Sequence, residues 1–367
     1  MVDVQLSEIE KSYGNCRVLA TLNLHVAAGQ YVVLLGPSGC GKTTLLKIIA
    51  GLEQPDHGQL CLGGNRAEHL PPRKRDVSIV FQHDALYPHL SIRDSIAFGL
   101  KSLSASERRS RIDQACQLTG IASLLDRRPD HLSGGELRRA AIAKAIARRA
   151  SVRLLDEPLS AIDSHVRHGI ANALIDWHTS HPGTTIHVTH NGQEAMHIAD
   201  LIAVMGTSTS GGNQIVQLAR PEEIYRTPAN KSVALSIGSP PMSFLGAKIK
   251  QGQLTFTDDC FRVVGHWPIP SDRDQDIEIG MRSNAIGQVS PKADVTKNGL
   301  LISGTVTRTY FSNDHWIASV KAADQVVLAD FTDRPPTVGD HITLYADCQK
   351  CHLFDTTGQS LAVKRPR

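Results

Sequence analysis

One glycine-rich segment constrains the fold of this chain more than any other part of its sequence. It runs Gly36, Pro37, Ser38, Gly39, Cys40, Gly41, Lys42, Thr43 and Thr44. The apolar run 31–35 precedes it and the largely apolar run 45–50 follows it, which predicts a strand, a tight turn and a helix. In that context backbone N–H groups surround phosphate oxygens, Lys42 reaches the β- and γ-phosphates, and the Thr43 hydroxyl ligates Mg²⁺. The sequence therefore predicts binding of a nucleoside triphosphate.

Length and composition are typical of a globular protein. The chain has 367 residues, of which 41% are apolar and 20% charged, and this length favours two domains. The formal net charge of +3 gives no indication of nucleic-acid binding. No run approaches the roughly 18–20 apolar residues of a membrane span, and the acidic, alternating N-terminus predicts an edge strand, not a signal peptide. We therefore expect a cytoplasmic chain that needs partner chains for any work at a membrane.

The cysteines carry little functional information. There are seven, scattered along the chain, which argues against a disulfide framework. Cys348 and Cys351, followed by His352, have the spacing of a redox or metal site. Because no second pair accompanies them, two thiols on a strand or turn is the favoured interpretation.

The chain changes character after about residue 235. Before that point the expected elements are strands at 77–81, 152–155 and 185–189 and helices at 91–125, 136–149 and 164–179. Strands that alternate with helices predict a mostly parallel sheet covered on both faces. After the break at Ser239-Pro240-Pro241, short alternating runs predict a β-rich second domain of barrel or sandwich type.

Later motifs narrow the class of nucleotide-binding protein. In chain order they are Phe81-Gln82, Leu132-Ser133-Gly134-Gly135-Glu136, Leu154-Leu155-Asp156-Glu157-Pro158, Ser160-Ala161-Ile162-Asp163 and Thr189-His190. In this combination and order the chain resembles the nucleotide-binding subunit of an ABC transporter. The resemblance implies an ABC-type α/β P-loop ATPase domain over 1–235, with a helical subdomain at about 85–135. A small all-β, OB-like domain of the TOBE type would follow over 236–367.

Further segments resemble the importers of maltose, glycerol 3-phosphate and related solutes. They are 81–90, 221–225, 228–230 and 237–245, with weaker similarity at 280–282 and 353–358. The resemblance covers essentially the whole chain and is strongest up to about residue 245. It implies ATP hydrolysis that drives uptake of a sugar or glycerol-3-phosphate-like solute.

The resemblance also implies roles for single residues. Tyr13 would stack on adenine, and Gln82 would lie near Mg²⁺ and the attacking water. Asp156 would hold Mg²⁺, directly or through water, and Glu157 would be the general base or water-orienting carboxylate. His190 would hydrogen-bond the γ-phosphate.

The resemblance implies that the site is shared between two copies of the chain. Ser133 and Gly135 would donate to the γ-phosphate bound by the opposite subunit, and Gly134, Glu136 and Asp163 complete the implied nucleotide-binding set. A symmetric homodimer would thus enclose two ATP molecules. Its partners would be two integral-membrane permease subunits at the cytoplasmic face of the inner membrane and, indirectly, an extracytoplasmic solute-binding protein. No nucleic-acid partner is expected.

Three positions depart from the family pattern. Glu136 replaces a glutamine, which places a carboxylate near the opposite nucleotide and could slow turnover. Arg153 interrupts an apolar strand and must lie at the strand's entry or find a partner. Asn191-Gly192-Gln193 replaces the usual residues after His190.

Two other functions stay open for this chain: an ABC ATPase that acts on ribosomes or DNA, and a regulatory protein that binds ATP without turnover.

Overall fold

The computed structural model describes residues 1–81, 86–208, 211–269, 274–289, 298–312 and 314–361. The chain forms two compact units, Met1–Glu223 and Ile224–Arg367. The boundary expected from the sequence, between residues 235 and 236, falls inside the second unit. The preceding residues already contact later strands of that unit, since the Lys231 ammonium donates to the Glu278 carboxylate at 2.6 Å.

The first unit is built on a 10-stranded sheet. Its strands are β1 (Val4–Tyr13), β2 (Cys16–Val26), β3 (Tyr31–Leu35), β4 (His57–Leu62), β5 (Asn65–Arg66), β6 (Val77–Val80), β7 (Val152–Asp156), β8 (Thr184–Thr189), β9 (Leu201–Thr207) and β10 (Asn213–Ala219). Its helices are α1 (Lys42–Ala50), α2 (Ile92–Ala97), α3 (Ala105–Thr119), α4 (Gly134–Arg148), α5 (Ser164–Ser180) and α6 (Gly192–Ile198), while α7 (Pro221–Arg226) spans the division between the units. Among the described helices, none combines the length and apolar character needed to cross a membrane.

The strand order of this sheet is β5-β4-β1-β2-β10-β9-β3-β8-β7-β6. The half from β9 to β6 is parallel, as the alternation of strands and helices predicted. β3, β7 and β8 are buried along their whole length, as strands covered on both faces must be. Because these three strands are parallel neighbours, their carboxyl ends lie side by side at one edge of the sheet.

The expectation that the N-terminal strand lies at the sheet edge is wrong. β1 pairs with β2 on one side and with β4 on the other, and the short β5 forms the edge. The alternating pattern indicates only that one face of β1 is buried, and Val4, Leu6 and Ile9 are buried in the structure. Inner and edge strands of an antiparallel region share that pattern, so the sequence could not distinguish them.

The helices after β6 position the segment that precedes β7. Ser91 and Ser104 cap α2 and α3 by accepting hydrogen bonds from the backbone N–H groups of Asp94 and Glu107. α4 packs on β6 and β7 through a cluster of apolar side chains: Val80, Ala141, Ala145 and Leu155. α2 and α3 lie within the segment 85–135, for which the helical subdomain was expected.

The second unit is strand-rich, as expected for a barrel-like domain. Its elements are α8 (Lys231–Ser236), β11 (Ser243–Lys250), β12 (Gln253–Thr255), β13 (Phe261–Val264), β14 (Gln275–Met281), β15 (Ile286–Gln288), β16 (Gly299–Ser312), β17 (His315–Ala322), β18 (Gln325–Phe331), β19 (His341–Asp347), β20 (His352–Asp355) and β21 (Ser360–Leu361). A 5-stranded sheet has the order β12-β11-β14-β20-β21, and a 6-stranded sheet has the order β15-β19-β16-β17-β18 with β13 beside β16. One apolar core joins both sheets.

The cysteine pair lies on a turn of the second unit. Cys348 begins a short 3-10 helix that ends at Lys350, and Cys351 follows it; both cysteines are buried. The described part of the chain contains no group of three or more His, Cys, Asp or Glu side chains that could hold a metal ion.

Arg153, the charged residue within the apolar strand β7, finds partners on the main chain. It is 2% exposed, and its guanidinium donates to the carbonyls of His181 and Ala150 at 2.5 and 3.3 Å. The guanidinium carbon lies 4.0 Å from the ring centroid of Trp177. Burial lowers the pKa of Arg153 to about 10, so the side chain remains charged at neutral pH.

We expect Arg153 and Gly183 to be energetically coupled. A Cβ at Gly183 would lie 2.7 Å from the Arg153 guanidinium, so Gly183→Ala should destabilise the native chain. Arg153→Ala should lower the free energy of unfolding by roughly 3 kcal/mol, through the lost hydrogen bonds and the cavity. In the double variant the clash is absent, so chemical denaturation should show a coupling of about 1 kcal/mol or more. Strict additivity would contradict this packing.

Candidate active site

The glycine-rich loop between β3 and α1 has the geometry of an anion site. Gly39 and Gly41 have φ angles of 82° and 94°, a region that glycine adopts without Cβ strain. A Cβ at Gly41 would lie 2.8 Å from Leu19 Cδ2, so this position accepts glycine only. α1 begins at the next residue, and its first N–H groups, with the positive end of the helix dipole, border the loop. The loop can therefore surround a phosphate.

The Lys42 ammonium lies inside this loop. Nζ donates to the carbonyls of Gly36 and Pro37 at 2.8 and 2.7 Å, and the residue is 6% exposed. The neighbouring Cys40 is buried, and burial raises the pKa of its thiol, which therefore stays neutral. The loop thus presents a fixed positive charge without a competing thiolate.

A hydrogen bond joins the start of α1 to the end of β7. Thr43 Oγ1 donates to Asp156 Oδ2 at 2.8 Å. Burial raises the pKa of the Asp156 carboxyl, and the hydrogen bond from Thr43 opposes that shift. A hydroxyl and a carboxylate oxygen are hard ligands of the type that Mg²⁺ accepts together with phosphate oxygens and water. The pair can therefore hold a divalent cation beside the phosphate loop.

Glu157 and His190 form a second pair next to the first. His190 Nδ1 lies 3.0 Å from Glu157 Oε1, and the two residues follow β7 and β8, which are adjacent in the sheet. The Glu157 side chain is 13% exposed and that of His190 is 55% exposed. Glu157 has a φ of 47°, rare for a residue with a side chain, and its N–H donates to the Val188 carbonyl. The backbone therefore fixes the carboxylate at the end of the strand.

Ser133 and Glu136 form a reciprocal cap at the start of α4. Glu136 Oε2 accepts from both the N–H and the Oγ of Ser133 at 2.8 Å, and the Glu136 N–H donates to Ser133 Oγ. The hydrogen bond from the Ser133 N–H is the main reason that the pKa of Glu136 is lowered. Among the described residues, no hydrogen bond joins this turn to the phosphate loop. Gly135 lies beside Ala161 instead, where an added Cβ would be 3.4 Å from the Ala161 carbonyl oxygen.

Arg138 is a residue that sequence reasoning missed. It is 3% exposed and donates to the carbonyls of Phe81, Asp156 and Pro158. It therefore links α4 to the ends of β6 and β7. The signal was its spacing: Arg138 precedes Ala141 and Ala145 by three and seven positions and so lies on the buried face of α4.

Three residues predicted for the site remain: Tyr13, Asp163 and Gln82. Tyr13 is 46% exposed, and its hydroxyl interacts with Thr44 of α1 and with Glu53, so the ring lies near the phosphate loop. Asp163 is exposed and precedes α5, while Gln82 lies outside the described residues. Asn191, one of the departures from the family pattern, caps α6 by accepting from the N–H groups at 193 and 194.

Known proteins are similar to this chain in sequence and in fold. The profile of the family described as ABC transporter matches residues 19–160. Over 97% of its length the chain is 35% identical to the sulfoquinovosyl glycerol transport ATP-binding protein SmoE of Agrobacterium fabrum, of which it covers 98%. The chain belongs to the ABC transporter family.

Two further comparisons locate this ABC ATPase within the family. It is 33% identical to the sn-glycerol-3-phosphate import ATP-binding protein UgpC of Cereibacter sphaeroides, over 98% of this chain and 100% of that protein. A dimeric post-hydrolysis structure of the ATP-binding cassette MJ0796 with ADP and phosphate matches with a TM-score of 0.54 and 26% identity, over 59% of this chain and 98% of that one. The ABC-type ATPase fold and the similarity to sugar and glycerol-3-phosphate importers, both predicted from the motifs, are confirmed.

Asp156→Asn should separate stability from activity in this ABC ATPase. Burial raises the pKa of Asp156. At pH values above that pKa the native chain must hold a buried, ionised carboxylate, which lowers its free energy of unfolding. This cost is absent at pH values at which Asp156 is protonated in both the native and the unfolded chain. The variant should therefore be more stable than the native chain at pH 8, and the gain should shrink as the pH falls towards 4, as measured by thermal unfolding without nucleotide. ATP hydrolysis should fall roughly 100-fold or more.

Asp176→Asn, an exposed change on α5, serves as the control and should alter neither property. A stability gain that is independent of pH would contradict the role assigned to desolvation of Asp156.

Proposed function

We propose that this chain is the ATP-hydrolysing subunit of an importer for a sugar or glycerol-3-phosphate-like solute. It works as a homodimer with two integral-membrane permease subunits at the cytoplasmic face of the inner membrane. An extracytoplasmic solute-binding protein supplies the solute. The observation that carries the proposal is the placement of the Thr43–Asp156 and Glu157–His190 pairs beside the phosphate loop. The transport roles named for SmoE and UgpC support the class of solute.

We propose one step in hydrolysis for each of these residues. Glu157 orients the attacking water and accepts its proton as the new bond to the γ-phosphorus forms. His190, held by Glu157, donates to a γ-phosphate oxygen and maintains the in-line arrangement. As the bond to the leaving oxygen of ADP breaks, Lys42 and the N–H groups of the loop stabilise the charge that develops there.

Mg²⁺ fits the oxygen ligands of this site. Thr43 and Asp156 would hold it, and Gln82 would join them. When bound, the ion neutralises charge on the β- and γ-phosphate oxygens. Asp156 must be ionised to act as a ligand; burial raises its pKa, and a neighbouring cation favours the carboxylate and so opposes that shift.

A homodimer explains why, among the described residues, no hydrogen bond joins the cap of α4 to the loop of the same chain. Ser133 and Gly134 lie at the positive end of a 15-residue helix, where they can donate to an anion held by another molecule. Adenine would stack on the exposed ring of Tyr13, and Asp163 would lie at the same seam. The dimeric form of MJ0796 supports this arrangement. ATP then closes the pair, and loss of the γ-phosphate releases it.

The exposed Phe98 ring, with the half-buried Tyr87 ring beside it, is our candidate for contact with the permease subunits. The rings of Tyr87 and Phe98 lie 4.9 Å apart, and Phe98 is 46% exposed. Both follow Gln82 in sequence, so this surface belongs to the segment that comes after the proposed Mg²⁺ ligand.

Glu157→Gln tests the catalytic assignment. The amide cannot accept the proton of water, so ATP turnover of the full chain should fall roughly 10²–10⁴-fold. ATP binding should persist, because the loop and Lys42 are unchanged, and the ATP-bound homodimer should accumulate in size-exclusion chromatography. Vesicles containing the permease subunits and this variant should lose ATP-driven uptake.

Glu107→Gln, on the surface of α3, is the matched control and should turn over ATP at the native rate. Equal ATP hydrolysis by Glu157→Gln and the native chain would refute the assignment of Glu157.

Glu136→Gln should improve the use of ATP. Ser133 Oγ donates to the Glu136 carboxylate, and that hydrogen bond must break before the hydroxyl can serve a γ-phosphate. Glutamine keeps an acceptor for the cap but removes the negative charge. We expect the KM for ATP to fall about 2–10-fold at low ionic strength, with a smaller effect at about 0.5 M salt. Asp176→Asn is the control, and an unchanged KM at low ionic strength would contradict the proposed competition.

A further inference from the structure

The second unit contains a pocket with an excess of positive charge. Its volume is about 400 Å³, within the range of small-molecule sites. It is lined by Tyr225, Arg226, Arg282, Asn284, Ala285, Gln349, Lys350 and His352. Arg226, Lys350 and His352 are basic residues, as Arg282 is, and the lining contains no carboxylate. Such a lining favours an anionic ligand.

Arg282 is the buried arginine of this lining. It is 4% exposed, and its guanidinium donates to the carbonyls of Ile237 and Tyr225 at 2.7 and 3.3 Å. Within the described residues its Nε has no hydrogen-bond partner and no carboxylate forms an ion pair with it. Burial lowers the pKa of Arg282, yet a guanidinium stays charged at neutral pH. The described residues thus leave a desolvated charge without a counter-ion.

The other lining groups are arranged as donors. The ring of Tyr225 lies 3.9 Å from the guanidinium carbon of Arg282, and its hydroxyl accepts from Asn284 Nδ2 at 3.2 Å, which leaves the phenol proton to donate. Gln349 and Lys350 project from a 3-10 turn that Asp347 caps by accepting from the Gln349 N–H. The Tyr225 ring and the Arg282 guanidinium therefore line the same pocket as two exposed donor residues of this turn.

We propose that this pocket binds a phosphate group, either as free phosphate or as part of a small phosphorylated solute. Several N–H and O–H donors around a guanidinium match the oxygens of a dianion better than the two oxygens of a carboxylate. The volume accommodates a phosphate ester as well as the free ion. The site is separate from the phosphate loop, since its lining belongs wholly to the second unit.

Binding to the full-length chain tests the site. Calorimetric titrations with inorganic phosphate, glycerol 3-phosphate and uncharged glycerol are made in a Lys42→Ala background, which weakens phosphate binding at the loop of the first unit. Phosphate or its ester should bind, and glycerol should not. Tighter binding of the ester identifies a phosphorylated solute as the ligand, and tighter binding of phosphate identifies the free ion.

Charge reversal at the pocket distinguishes this site from general anion attraction. Adding Lys350→Glu should weaken binding at least about tenfold, while Lys250→Glu, an exposed lysine of β11 in the same unit, should leave it unchanged. Arg282→Lys keeps the charge but loses the planar donors, and it should also weaken binding. Absence of binding in the Lys42→Ala background, or equal effects of the two lysine reversals, would overturn the proposal. ATP hydrolysis by Lys350→Glu, measured without the Lys42→Ala change, shows separately whether the first unit is still active.

Discussion

The hydrogen bond from Thr43 to Asp156 is the contact on which the candidate site depends. It joins the first turn of α1 to the end of β7, and so it ties the phosphate loop to the strand end at which Asp156 and Glu157 stand. It is possible because β3, β8 and β7 are parallel neighbours whose carboxyl ends meet at one edge. His190 enters the site for the same reason, from the end of β8. Three segments distant in sequence thus form one site through strand order alone.

The cap of α4 shows a conflict between local stability and shared binding. Ser133 and Glu136 satisfy one another, which favours formation of the helix in the isolated chain. The same hydroxyl is the group that a homodimer would offer to the partner's nucleotide. A carboxylate at 136 therefore stabilises the start of α4 but would oppose the approach of phosphate. An amide there would still cap the helix and would oppose phosphate less.

Motifs with a fixed spacing were predictable, and contacts made by the folded main chain were not. The phosphate loop, the acidic pair and the lone histidine each stand at a strand end that hydrophobic patterning identifies, so their convergence followed from the parallel sheet. Alternation in β1 reported burial of one face without revealing β4 as a second neighbour. Arg138 donates to main-chain carbonyls, and no residue type in the sequence marks such acceptors.

Several buried arginines of this chain donate hydrogen bonds to main-chain carbonyls, as Arg138 does. Arg75 donates to the carbonyls of Ile48 and Ile49 at the end of α1, and Arg153 donates to His181 just after α5. The carboxyl end of a helix carries partial negative charge and unpaired carbonyls, so it can compensate a guanidinium without the cost of desolvating a carboxylate. Arg282 also donates to two main-chain carbonyls, and it differs in lining a pocket with basic neighbours. The basic neighbours around the pocket are therefore what distinguish Arg282, a candidate ligand-binding arginine, from the structural arginines.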